Sequence, residues 1–147
     1  MTDLYWMRQA LAWAVRDPEE VPVGALVVKD NILISAAHNE RERTGGALHH
    51  AEMLAITRAQ EALGERRLSG CTLYVTLEPC PMCAGALILA RLSRVVFGAF
   101  DVQYGCCGSR YALPLDPAFH HRVACEGGVL AEEAEALLQA FFSRRRE

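Results

Sequence analysis

The sequence predicts a single-domain α/β protein, with helices layered on a mixed β-sheet. Three observations lead there. Short β-rich runs alternate with helix-patterned segments along the whole chain, which is the layered α/β signature. The first two runs, residues 23–28 and 32–37, are separated only by Lys29-Asp30-Asn31, so they pair as an antiparallel hairpin and make the sheet mixed. With 147 residues, 52% of them apolar, the chain can bury a core without disulfide staples. No repeat, low-complexity tract or Gly/Pro/Ser-rich linker divides it, so residues 1–147 are expected to form one domain.

The elements follow from local pattern. Leu4, Met7, Leu11, Ala14 and Val15 recur at helical spacing and predict an opening amphipathic helix that stops near Asp17-Pro18. After the hairpin, a polar loop over 39–46 leads to a helix over about 50–63. Residues 72–76, Thr-Leu-Tyr-Val-Thr, form a β-rich run suited to a buried strand. Pro81 suits the first turn of the next helix, where its missing N–H costs nothing, and Ala84, Leu87, Ile88 and Arg91 share one face of it. Residues 95–97 are the next strand and 122–124 a short fifth. A last helix starts near Leu130, with Ala134, Leu137, Leu138 and Phe141 continuing its stripe.

Composition narrows the class. The N-terminus has neither a basic n-region nor an apolar h-region, and no apolar run reaches the ~18 residues of a membrane span. The net charge of -3 excludes neither nucleic acid nor small-molecule substrates. Six cysteines could make three disulfides, but a Cys-x-x-Cys pair in a chain of this profile favours metal binding in the cytoplasm, with Cys71, Cys106, Cys107 and Cys125 reduced.

The chemistry sits in a split motif: His50-Ala51-Glu52, then Pro79-Cys80-Pro81-Met82-Cys83. His50, Cys80 and Cys83 carry zinc-binding donors, and there are only three. A structural zinc site fills four positions with protein, whereas a catalytic one keeps a position for water. Cys80 and Cys83, three apart at a helix start, can turn both sulfurs to one point, and the partial positive charge of a helix N-terminus favours thiolate. Two thiolates and an imidazole neutralise Zn2+, so water there would need a base to ionise, and Glu52 is placed as that base and later as an acid. A thiol-redox reading of Cys-x-x-Cys competes, but it needs no His-Ala-Glu. A structural zinc module that only binds RNA would need a fourth protein ligand.

His-x-Glu followed by Pro-Cys-x-x-Cys is the signature of zinc nucleobase deaminases. The match extends further. Val21-Pro22-Val23-Gly24-Ala25, the block from Thr72 through Cys83 to Ala86, and the ending Gly127-Gly128-Val129-Leu130…Phe141-Phe142 resemble bacterial tRNA-specific adenosine deaminases of the cytidine deaminase-like superfamily. The resemblance covers nearly the whole chain. It implies a three-layer α/β/α cytidine deaminase-like fold on a five-stranded mixed sheet, a homodimer, and one Zn2+ per chain. The implied reaction is zinc-dependent hydrolysis of adenosine to inosine at the wobble position of a tRNA anticodon. Residue by residue, it implies His50, Cys80 and Cys83 as ligands, Glu52 as proton shuttle, and Asn39 as a hydrogen-bond partner of the flipped nucleotide. An amide offers both donor and acceptor for that task. The N–H of Ala51 is expected as a further contact to the base.

Departures from the family pattern lie on the substrate side. Gly46-Ala47-Leu48-His49 stands where Asp-Pro-Thr-Ala is usual, Asp101-Val102-Gln103 where Asp-x-Lys is usual, and His120 where Asn is usual. His49, Asp101, Gln103 and His120 are therefore carried as substrate-side candidates, and a deaminase of a free base or nucleoside (guanine, cytosine or adenine type) is the alternative. Bland readings stand beside these. His49 is expected to pack or touch substrate rather than bind metal, and Asp101 to be a turn residue. Cys106 and Cys107 are expected to be buried small residues, Arg41 and Arg43 solvated, and Phe141 and Phe142 core. Arg144, Arg145 and Arg146 are either a solvated helix end complementing the dipole or an RNA-backbone contact, as in the family.

Overall fold

The computed structural model describes residues 1–145. In chain order it contains α1 (Asp3–Ala14), β1 (Gly24–Lys29), β2 (Ile32–His38), α2 (Arg41–Thr44), α3 (Ala51–Leu63) and β3 (Cys71–Leu77). There follow α4 (Pro81–Leu89), β4 (Arg94–Ala99), a 3-10 turn (Leu113–Leu115), β5 (Ala124–Glu126) and α5 (Ala131–Arg145). The five strands form one sheet in the order β2-β1-β3-β4-β5. β1 runs antiparallel to both β2 and β3, and β3, β4 and β5 are parallel. Asp30 and Asn31 both adopt positive φ, the left-handed pair that a tight hairpin requires.

Alternation along the strands builds the two faces. Ala25, Val27, Leu73, Val75, Val95 and Phe97 pack against Ala51, Ala55, Ile56 and Ala59 of α3 and Ala84 and Leu87 of α4. On the other face, Leu26, Val28, Tyr74 and Val96 meet Trp6, Met7 and Ala10 of α1. Beside α1 lies α5, whose Ala134 closes on Gly98. Helices on both faces of the sheet give the expected three-layer α/β/α arrangement.

Several expectations shift: Arg91 lies beyond the end of α4, with φ 57°, and the loop over 39–46 contains the helical turn α2. The buried stripe of α1 is Trp6, Met7, Ala10 and Ala14, while Leu4 and Val15 are exposed. The cause is close packing: a Cβ at Gly24 would collide with the carbonyl oxygen of Ala10 and approach the Ala14 nitrogen to 2.7 Å. Alanines rather than leucines must therefore face β1. β5 begins at Ala124, two residues later than expected, because Val123 N–H is engaged with the Pro114 carbonyl at 3.0 Å.

An ion cluster ties α1 to the sheet. Tyr74 Oη donates to Asp3 Oδ1 at 2.7 Å, and Arg94 Nη1 donates to the same oxygen at 2.9 Å. The Arg94 hydrogen bonds, foremost, hold the Asp3 carboxyl below its ordinary value. A carboxyl depressed on folding stabilises above its unfolded pKa, and that contribution is lost as pH falls through the folded one. Asp3→Asn should therefore cost about 1 kcal/mol at neutral pH, discounted for partial exposure. The Tm gap to wild type should close below about pH 4, near the unfolded pKa of aspartate; a constant gap would contradict this assignment.

Candidate active site

The sheet topology converges on the carboxyl end of β3, the kind of crevice where open α/β sheets bind ligands. β3 ends at Leu77; Glu78, Pro79 and Cys80 follow, and α4 starts at Pro81. The antiparallel β1 brings Val21 and Val23 to the same end, where Gly24 N–H donates to Thr76 Oγ1 at 3.2 Å. α3 begins there too. His50 and Cys80 are the N-cap residues of α3 and α4, both with extended backbone, and Pro81 supplies the first helical residue of α4. Cys80 thus stands at the helix start, as expected, with Cys83 in the first turn that follows.

His50, Cys80 and Cys83 come together as a potential metal group. The His50 Nδ1 lies 3.6 Å from Cys80 Sγ and 3.7 Å from Cys83 Sγ. A tetrahedral ion with sulfur at about 2.3 Å and nitrogen at about 2.0 Å has S···N edges of about 3.5 Å, so these donors fit zinc. Among the described residues no fourth His, Cys, Asp or Glu joins the group. Its electrostatics suit a cation. The Cys80 thiol is lowered to about 4, foremost by the hydrogen bond from Cys83, with His50 adding to it. The Cys83 thiol is raised, foremost by that same bond, so Cys80 carries the negative charge of the pair.

Glu52 sits in the first turn of α3, 4% exposed. Burial pushes its carboxyl up to about 7, against the opposing pull of its own backbone N–H and of His50. A carboxyl near neutrality can both take and return a proton.

His50, Cys80 and Glu52 line a cavity of about 470 Å³, also bordered by Val21, Val23, Asn39, Arg41, Leu77, Glu78, Asp101 and Tyr104. Asn39 is buried, and its Oδ1 accepts from Ala51 N–H at 2.8 Å. The Ala51 N–H expected at the base is therefore engaged by Asn39, whose Nδ2 is the donor left for a ligand. Asp101 is the expected turn residue: its Oδ1 accepts from the N–H groups of Gln103 and Tyr104, each at 3.0 Å. It also borders the cavity, so both of its candidate roles coexist.

Glu78 was not singled out from the sequence, although it stands two residues before Cys80. It is 2% exposed, and its oxygens accept from the N–H groups of Asp101 (3.0 Å), Cys107 (3.1 Å) and Ser109 (2.9 Å) and from the Ser109 hydroxyl. A Cβ at Gly105 would strike this carboxyl group, so glycine is required where the loop wraps it. Cys106 and Cys107 are buried beneath, as expected. Glu78→Gln would turn an NH2 toward backbone donors and should cost about 2 kcal/mol. Faster hydrogen exchange at Cys107 and Ser109 would register it; unchanged protection would refute the role.

Other candidates lie outside the cavity. His49 is exposed, and its ring meets Thr44 Oγ1 and lies over Gly46, where a Cβ would come within 2.6 Å of Nδ1. It closes its own loop. Gln103 borders a neighbouring groove of about 560 Å³ together with Arg41, Phe100, Tyr104 and Phe142. His120 is in a separate depression with Arg66, Arg67 and Arg91, at the far ends of α3 and α4. Phe141 is core, but Phe142 is 45% exposed in the groove, contrary to expectation, because α5 turns that side away from the sheet. Arg145 donates to the Glu19 carbonyl at 2.7 Å, and Arg144 borders a depression beside Pro18 and Pro22. Arg146 lies outside the described residues.

Comparison with known proteins finds deaminases by sequence and by fold. The MafB19-like deaminase family profile matches residues 1–145. The chain is 48% identical over 147 residues to the tRNA-specific adenosine deaminase of Bacillus subtilis (strain 168), covering 99% of this chain and 91% of that protein. A solved structure from studies of A-to-I editing by tRNA:A34 deaminases at the wobble position of transfer RNA superposes with a TM-score of 0.86 at 38% identity, over 91% of this chain and 99% of that one. The guanine deaminase of Nitrosomonas europaea superposes with a TM-score of 0.84 over 97% of this chain and 85% of that one. At 23% identity, that match speaks for the fold alone.

Proposed function

The chain belongs to the MafB19-like deaminase family, among the tRNA-specific adenosine deaminases, and on that footing we propose that it hydrolyses adenosine to inosine at the wobble position of a tRNA anticodon. The observation that carries this reading is a three-donor metal group with a buried carboxyl beside it, in a cavity that opens into an aromatic-lined groove. A free base needs only the cavity. A single-stranded loop uses the groove too, since exposed aromatics such as Tyr104 and Phe142 offer stacking faces to bases of any identity.

His50, Cys80 and Cys83 would hold one Zn2+, which when bound supplies the Lewis acid that makes water nucleophilic at neutral pH. Glu52 takes a first proton from the water and delivers it to the ring nitrogen N1, then takes the second from the same oxygen, now bonded to C6, and passes it to the amine leaving as ammonia. One buried carboxyl serves both directions because it sits near neutrality. Asn39, fixed by Ala51 N–H, orients the nucleotide through its amide nitrogen. The apolar walls, Val21, Val23 and Leu77, exclude bulk water from the proton transfers.

The chain is further proposed to work as a homodimer in the cytoplasm. The family resemblance supports the dimer, as do the exposed apolar side chains of Leu48, Leu89, Tyr111, Leu115 and Phe119. All six cysteines are free, as in a reducing compartment. No helix of the described residues is long and apolar enough to cross a membrane. The deciding experiment is a deamination assay on an anticodon stem-loop beside free adenosine, guanine, cytosine and cytidine. Inosine formed in the stem-loop alone is expected. Turnover of a free base without RNA would overturn the substrate in favour of the free-base alternative.

A further inference from the structure

Glu20 is a buried carboxylate with no role in the chemistry above. It is 2% exposed, and among the described residues no cation pairs with it. Instead, its Oε1 accepts from Arg43 N–H at 2.8 Å and its Oε2 from Glu42 N–H at 3.2 Å. Both amides belong to α2, a single turn of four residues. That turn has little to hold itself together. Its backbone bond is Thr44 N–H to the Glu40 carbonyl at 3.2 Å, and Glu40 provides no side-chain cap. One isolated turn is far below the length at which a helix sustains itself in water. External groups therefore fix α2: Glu20 at its amides, and the ion pair of Arg58 with Glu40 at 2.9 Å behind it.

The first residue of α2 is Arg41. Its side chain borders both the catalytic cavity and the outer groove, and no carboxylate among the described residues pairs with it. A free guanidinium at the junction of a nucleotide-sized cavity and a stacking groove stands where the strand leaves the cavity, and its planar fork matches a phosphate. Burying a carboxylate is expensive when backbone amides alone answer it. Glu20 and Arg41 make sense as one device.

We propose that Glu20 is a positioning residue that acts through Arg41: it locks the α2 turn so that the Arg41 guanidinium meets a phosphate flanking the extruded nucleotide. This rests on the RNA substrate proposed above. It makes Arg41 a determinant of affinity for a phosphate-linked strand over a free nucleoside, and Glu20 its support. The segment is braced from a second side, because Arg145 of α5 donates to the carbonyl of the adjacent Glu19.

A double-mutant cycle tests the proposal, using steady-state kinetics on an anticodon stem-loop at several salt concentrations with the zinc-loaded protein. Arg41→Ala should raise KM about tenfold, the worth of one charge-assisted contact, and leave kcat within about twofold. The salt slope of apparent affinity should fall by about one. Glu20→Ala should reproduce all three changes, and Glu20→Gln, which keeps one acceptor oxygen, should recover part of the KM. The double variant should be no worse than either single one. Multiplicative effects, a fall in kcat in place of a rise in KM, or an unchanged salt slope would overturn it. If Glu20→Ala fails to fold, the cycle is closed with Glu20→Gln. If the wild type acts on free substrates and not on the stem-loop, the RNA reading falls. The cycle is then run on a nucleoside and its 5′-monophosphate, where a KM effect confined to the monophosphate upholds the Glu20–Arg41 link and its absence rejects it.

Discussion

Glu52→Ala is expected to lower turnover by about 10³-fold or more, at the upper end of what a positioned general acid–base group contributes, because one side chain serves both proton transfers. The fold should not suffer. Glu52 is buried at a desolvation cost that raises its own carboxyl, so its removal relieves that cost, and Tm should hold or rise. Metal content should stay at one per chain, since no ligand is touched. Glu52→Gln isolates the proton from the shape: it fills the same space, still accepts a hydrogen bond, and cannot shuttle. Equal losses in both variants, with metal retained, are the expected pattern. Activity near wild type in Glu52→Gln would remove the carboxyl from the reaction.

Cys83→Ala should instead lose metal, activity and stability together. Cys83 is fully buried in the first turn of α4. Deleting its sulfur costs about 1 kcal/mol in packing by itself. The larger expected loss is the ligand-binding contribution to stability, about 1.4 kcal/mol for each tenfold of metal concentration above Kd. The two parts separate experimentally. With a strong chelator present, wild type and variant should differ by the packing cost alone; without it, the wild type should melt well above the variant. Stoichiometric zinc in Cys83→Ala, measured by elemental analysis, would contradict the assignment.

The sequence was most legible where spacing alone determines geometry. His50 and Cys80 each precede a helix, and Cys80 and Cys83 are three apart, so convergence of the donors needed only a β3–α4 turn beside the start of α3. The hairpin, the central strands and α5 were legible for the same local reason. Less legible was whatever depends on two distant segments meeting. The buried face of α1 is set by Gly24 on another element, not by where its leucines lie. Glu78 looked like part of a motif, yet its four hydrogen bonds go to a loop more than twenty residues later. His120 was a substrate-side candidate through the family pattern, but the structure sets it with Arg66, Arg67 and Arg91 at the other end of the helices. Phe142 and Arg41 belong to the groove for reasons that no helical stripe or loop composition records.

The donor set is assembled by elements that have their own reasons to be where they are. α3 and α4 are held in the larger core by Ala51, Ala55, Ala59, Ala84 and Leu87, all fully buried. Small zinc-nucleated modules collapse only around their ion. Here the helices that carry the donors are seated by apolar contacts of the core, so where α3 and α4 begin, and with that the placement of His50, Cys80 and Cys83, follows from packing that involves none of the three.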